Sequence, residues 1–200
     1  FNAISGGVLL ATLTGSVDIP AGQAFVDITI TPTDDSIDEA DETVTLTLTD
    51  GALYDLGAPT SDTGTIADDD TVGITVNPIS GLTTTEVGGT ATFTVVLNSQ
   101  PTSDVTIALS SSDTTEGTVA PTPLTFTSVN WSTAQTVTVT GVDDFVDDGN
   151  VGYTIVTATA VSSDLNYSGL NPANVSVTNT DDDSAGITVN PISGLTTTEV

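Results

Sequence analysis

The sequence predicts an all-β protein made of tandem antiparallel β-sandwich domains. Three observations carry that prediction. Apolar residues alternate with Thr and Ser in short runs bounded by Gly, Pro, Asn and Asp. The fifteen residues GITVNPISGLTTTEV at 73–87 return unchanged at 186–200, an offset of 113 residues. Each copy follows an aspartate triplet, Asp68–Asp70 before the first and Asp181–Asp183 before the second. That period is too long for a solenoid repeat and fits one small domain. The chain therefore divides into 1–70, the later part of one domain; 71–183, a complete domain; and 184–200, the opening strand of the next.

The complete unit carries seven predicted strands. The first is Ile74–Val76. The second, Ala91–Leu97, puts Ala91, Phe93, Val95 and Leu97 on one face. The third, Val105–Leu109, turns Val105, Ile107 and Leu109 inward. Leu124–Thr127 is the fourth. Thr136–Val142, the fifth, buries Val137 and Val139. Tyr153–Ala160 and Val175–Thr178 complete the set. Thr and Val dominate these runs, as a pleated, half-buried surface prefers, and no stretch holds a helical period with caps. Seven short strands in ~110 residues describe an Ig-like sandwich. Trp131, beside the fifth strand, is expected to cover the core. Residues 1–70 hold strands matching only the fourth to the seventh, and 186–200 match only the first. Flanking stretches of the same chain, or a neighbouring chain, are expected to complete both.

Charge narrows the function. The chain has 27 acidic residues and no Lys, Arg or His, for a formal net charge of −27. It repels nucleic acid and anionic membrane, which need basic contacts, and it attracts cations. Without Cys there is no disulfide, thiolate nucleophile or zinc–thiolate site. Without His or Lys the usual general base near neutral pH and Schiff-base chemistry are absent. Carboxylates, hydroxyls and carbonyls remain, a donor set that suits calcium. No enzymatic activity is expected.

The run VDIPAGQAFVDITITPTDDSIDEADETVTLTL at 17–48, followed by Tyr54–Asp55–Leu56–Gly57 and TIADDD at 65–70, resembles a Calx-beta domain. That family is a calcium-binding sandwich of sodium–calcium exchangers, integrin β4 and bacterial surface proteins. The matching features are an acidic loop, Asp34, Asp35, Asp38, Glu39 and Glu42, and the triplet Asp68, Asp69 and Asp70. The complete unit is more divergent. Its loop keeps Asp143, Asp144, Asp147 and Asp148 but has Val151 where Glu42 stands, and it is similar to Ig-like modules that accompany Calx-beta domains. The resemblance implies calcium on both loop-plus-triplet sets.

Topology points the same way. With successive strands antiparallel, three turns of the complete unit share one pole with the end of the last strand. That pole collects Glu86, then Asp113 and Glu116, then Asp143, Asp144, Asp147 and Asp148, then Asp181, Asp182 and Asp183. Two unit charges ~5 Å apart repel by roughly 3 kcal/mol at an effective dielectric near 20, and several such pairs threaten a domain stable by only ~5–15 kcal/mol. A divalent cation relieves the repulsion directly. An acidic rim kept for solubility is the other reading, but a rim would not gather its charge at one pole.

Only Thr71 and Val72, or Ser184 and Ala185, separate a triplet from the next strand. The next unit's base, with Asp104 and Asp164, should therefore press on the site, and Glu199 should repeat the role of Glu86. The expected function is a calcium-stiffened repeat of an extracellular fibre, biofilm matrix or adhesin stalk. Its partners would be calcium, neighbouring repeats and other copies of the chain. A glycan- or partner-binding module, or a spacer within a secreted enzyme, is the alternative. Three Asn-x-Ser matches, at Asn130, Asn166 and Asn174, carry little weight in a chain so rich in Ser and Thr.

Overall fold

A computed structural model describes residues 15–51 and 54–199. It holds twelve strands and, among the described residues, no helix. A hairpin comes first: β1 (Glu42–Thr47) pairs antiparallel with β2 (Ser61–Ile66). The remaining ten strands form a sandwich. One sheet has the order β3 (Ile74–Asn77), β5 (Thr90–Leu97), β10 (Gln135–Gly141), β8 (Gly117–Ala120). The other runs β4 (Leu82–Thr85), β12 (Val175–Thr180), β11 (Val151–Thr157), β7 (Leu109–Ser111). A short ladder of β6 (Val105–Ile107) with β9 (Leu124–Phe126) extends the fold.

Period-two alternation builds the core. Phe93, Val95 and Leu97 of β5 and Val137 and Val139 of β10 face Tyr153 and Ile155 of β11 and Val175 and Val177 of β12, all of them buried. Each buried Val, Leu or Phe adds about 1.5–3 kcal/mol of transfer free energy. Trp131 packs against this cluster at its edge, as expected. The seven predicted strands are present, with differences that have local causes. The third is broken at Ala108 into β6 and β7, which join different ladders. The segment β8 was not predicted, because Gly117–Ala120 buries little on its own.

Nor was β4. After β3 the chain meets Pro78, which has no N–H for a ladder, and Gly81, whose φ of 77° favours glycine. The strand stops, crosses to the other sheet and resumes as β4, parallel to β12.

The larger departure is at the N-terminal side. Of the four strands expected in residues 1–70, only the last two pair among the described residues, as β1 and β2. Residues 1–14 lie outside the description. With Glu42 set opposite Val151, Ile28 and Ile30 correspond to Val137 and Val139, yet are 42% and 47% exposed where the valines are fully buried. In the sandwich β10 is held between β5 and β8. No counterpart of either is found among the described residues before β1, so residues 26–32 lack ladder partners. The copy of β3–β4 at 186–199 is likewise in no strand and exposed.

Candidate metal centre

Strand register explains how distant acids meet. Because β4 runs parallel to β12 with Thr85 opposite Thr180, Glu86 arrives beside Asp181. Gly141 of β10 lies opposite Gly117 of β8, which brings Glu116 next to Val142 and the acidic loop that follows. Val151 opposite Asn179 brings Asn150 level with Thr180, one residue from Asp181, whose N–H donates to Asn150 Oδ1 at 3.1 Å. Three triads result, each with ligand oxygens within 4.8 Å of one another: Glu86–Asp181–Asp183, Glu86–Asp143–Asp182 and Glu116–Asp144–Asp148. Among the described residues, all triads this tight lie at the sandwich pole.

Beneath them is a buried polar floor. Asn179 is fully buried, accepts the Thr84 hydroxyl at 2.9 Å, and donates to the Val142 carbonyl at 3.1 Å and to Glu116 Oε2 at 3.4 Å. The Tyr153 hydroxyl reaches Thr84 Oγ1 at 3.1 Å. Gly141 lets this floor approach closely: a Cβ there would collide with the Thr85 carbonyl and Asn179 Oδ1.

The pole is electrostatically unsatisfied. Glu86 is only 2% exposed and accepts one long bond, from the Asp182 N–H at 3.4 Å. Burial, opposed by that N–H and reinforced by the Asp181 charge, pushes its carboxyl up to about 6. Burial, then the charges of Asp182 and Asp181, raise Asp183. Asp183 Oδ2 is buried without a hydrogen-bond partner. Asp181 is lowered, because the N–H groups of Asp183 and Gly149 both donate to it. With no Lys, Arg or His in the sequence, no side chain can neutralise the cluster. All donors are hard oxygens, and an orphaned buried carboxylate oxygen faces them. These residues fit an oxygen-coordinated divalent cation.

The hairpin carries a second acidic set built alike. Loop 34–42 aligns with loop 143–151 without a gap. Asp35 Oδ1 accepts the Ile37 N–H at 2.9 Å, as Asp144 Oδ1 accepts the Val146 N–H at 2.7 Å. The Asp68 N–H donates to Asp41 Oδ1 at 3.1 Å, as the Asp181 N–H does to Asn150. Asp68 Oδ2 accepts the Glu39 N–H at 3.0 Å. Asp34, Asp35, Glu39, Glu42 and Asp68–Asp70 line an open pocket of about 380 Å³. Glu42 Oε1 is buried there without a partner. Burial and then the Asp35 charge raise Glu39, and burial and then Asp68 raise Asp70.

Other candidates fall elsewhere. Asp38 turns to the sandwich base, where Asn166 Nδ2 donates to its carbonyl. Asp104 is exposed at the opposite end of the sandwich and joins no triad. Asp113 is spent on its own turn: its Oδ1 accepts the Thr115 hydroxyl at 2.6 Å and N–H at 3.0 Å, and these bonds lower it. Asp147 Oδ2 accepts the Ala185 N–H at 2.7 Å, tying the loop to the linker. Glu199 is exposed. Glu116, which turn order places at this pole, belongs to a triad. Its i+28 spacing from Asp144 carries no motif; only the β8–β10 register joins them.

No family model matches this sequence, and no curated protein sequence does. Solved structures similar to it include the apo-form Calx CBD1 domain, at 17% identity over 56% of this chain and 98% of that one, with a TM-score of 0.43. A C. elegans MSP family member, WR4, aligns at 15% identity over 54% of this chain and 95% of that one, TM-score 0.35. Domains 4 and 5 of the S-layer protein SbsC align at 20% identity over 62% of this chain and 54% of that one, TM-score 0.32. At these identities and scores they place the chain in no family.

Proposed function

We propose that the chain is a calcium-binding structural module, in which cations held at the acidic ends of its units stiffen an extracellular fibre, matrix strand or stalk. The observation that carries this reading is the Glu86–Asp181–Asp183 cluster: a buried carboxylate, an orphaned carboxylate oxygen and no cationic side chain anywhere in the sequence. Glu86, Asp143 and Asp181–Asp183 would hold one part of the centre, Glu116, Asp144 and Asp148 another, and the 34–42 loop with Asp68–Asp70 the hairpin site. The bound cation would supply charge neutralisation. The protein groups do the rest: the Asp181 and Asp144 side chains fix their loops through backbone N–H groups, and the Asn179 floor holds Glu116 in place. No helix among the described residues is long and apolar enough to cross a membrane.

Calcium binding only the folded form stabilises it by about 2.7 kcal/mol per site at a hundredfold excess over Kd. Calorimetric titration and thermal melts of the chain, with calcium and with chelator, test the proposal. Saturable binding and a higher melting temperature are expected, and both should shrink in the Asp181→Asn, Asp183→Asn double variant. Absence of binding heat together with identical melts would leave an acidic rim as the better account.

A further inference from the structure

The acidic loop at 34–39 touches more than its own hairpin. The Gln100 N–H donates to the Ser36 carbonyl at 2.6 Å. Asn166 Nδ2 donates to the Asp38 carbonyl at 3.0 Å and lies 3.4 Å from Asp38 Oδ2. Both donors belong to the base of the sandwich, Gln100 in the turn after β5 and Asn166 in the long loop between β11 and β12.

That base is built in advance of its partner. Asp164, 7% exposed, accepts the Thr102 N–H at 2.8 Å and the Asn166 N–H at 2.9 Å, stapling the two loops together. The Tyr167 hydroxyl donates to the Ser99 carbonyl at 2.6 Å, one residue from Gln100. The loops that present Gln100 and Asn166 are thus fixed by buried groups whose hydrogen bonds stay within the sandwich.

The carbonyls they grip sit in a turn set by the candidate cation ligands. Asp35 Oδ1 holds the Ile37 N–H and Asp68 Oδ2 holds the Glu39 N–H. Those residues flank Ser36 and Asp38. Any cation that fixes the Asp35 and Asp68 side chains also fixes the direction of the two carbonyls. Any base that grips the carbonyls also pre-orders the ligands. Each event lowers the ordering cost of the other.

We propose that Asn166 and the Gln100 amide form a docking site for the 34–39 loop, so that cation binding in the hairpin pocket and seating of the sandwich base are thermodynamically coupled. The proposal rests on the calcium reading above. By reciprocity, an undocked sandwich weakens the hairpin site, and an empty site loosens the docking. The sandwich pole supplies an internal comparison. Its loop at 143–149 has the same turn, but among the described residues nothing grips the carbonyls of Phe145 and Asp147, and Phe145 is 90% exposed.

Two amides report the two sites separately: Glu39 N–H on Asp68, and Gly149 N–H on Asp181. Calcium titration of the whole chain, followed by nuclear magnetic resonance at both amides, tests the coupling in Asn166→Ala. Asn166 is exposed, so the sandwich should fold unchanged. The calcium concentration at half-shift for Glu39 should rise about three- to tenfold, the size of one lost hydrogen bond, while that for Gly149 stays put. Scattering at subsaturating calcium should show a larger maximum dimension in the variant. Equal midpoints in parent and variant at both amides, with normal calcium binding, overturn the coupling and leave the calcium reading intact. An equal rise at both amides also overturns it, because a general loosening would then explain the change. If neither amide responds to calcium in the parent chain, the calcium reading fails and the coupling falls with it.

Discussion

Tyr167 links the core to the base of the sandwich, and its hydroxyl can be removed alone. The ring is 1% exposed and packs within the core cluster. Its hydroxyl donates to the Ser99 carbonyl at 2.6 Å, accepts the Ser99 N–H at 3.1 Å and lies 2.9 Å from Ser99 Oγ. Ser99 is fully buried, so water cannot replace these bonds without opening the base. Tyr167→Phe keeps the ring and orphans one backbone acceptor and one backbone donor. Each buried unsatisfied group costs about 1–3 kcal/mol, so the variant, with two of them, should lose roughly 2–6 kcal/mol. Against a total of ~5–15 kcal/mol that is a large share. For a domain of this size it lowers the melting temperature by about 10 °C or more. Trp131, the one tryptophan, packs against the sandwich core and reports its unfolding by fluorescence in urea. The midpoint should fall with the slope unchanged. A loss below about 0.5 kcal/mol would refute the reasoning, since it would mean that the Ser99 groups find partners elsewhere.

Gly141→Ala should destabilise the sandwich by about 1–3 kcal/mol, because the new Cβ meets the Thr85 carbonyl and Asn179 Oδ1; urea unfolding measures it, and calorimetry should show weaker calcium binding next to the displaced Glu86. Asn179→Ala strips the floor of its hub and leaves Thr84, Glu116 and the Val142 carbonyl short of partners; about 2–4 kcal/mol should be lost in the same assay. In chelator, melting temperature should fall as pH rises from 5 to 7. Glu86 is raised from 4.5 to about 6, so its contribution is fully present below pH 4.5 and is lost as pH passes through 6. Glu86→Gln should flatten that slope, and calcium should reverse it; a flat profile in the parent chain would contradict the burial of Glu86.

The sandwich was legible in the sequence because its strands bury every second residue. Val137 and Val139, or Phe93, Val95 and Leu97, declare their face without help. What escaped was structure that depends on a partner. The strand β4 exists because Pro78 and Gly81 move the chain to the other sheet, and LTTT alone shows little period. At the acidic pole, turn order was enough to gather Glu86, the 143–148 loop and Asp181–Asp183. Which acids share a triad was not readable, because a one-residue change in the β8–β10 or β4–β12 register would pair different carboxylates. Asp113 shows the limit: it lies near the pole, but its own Asx turn with Thr115 claims its oxygens. Asn166 was read only as part of an Asn-x-Ser match, and its contact with Asp38 spans 128 positions in the chain.

The parallel pairing of β4 with β12 has a mechanical consequence. Tension along the chain enters the sandwich at Gly73 and leaves at Asp183. Beyond the four-residue ladder of β3 with β5, it pulls β4 and β12 in opposite directions along their common axis. The bonds between Leu82–Thr85 and Val177–Thr180 are therefore loaded together, in shear, and cannot open one at a time as an antiparallel hairpin peeled from its end would. Resistance to force is set by the unfolding rate, and shear makes the first step concerted. Glu86 and Asp181 cap this pair at the end where the load departs, so the candidate cation site sits on the line of force.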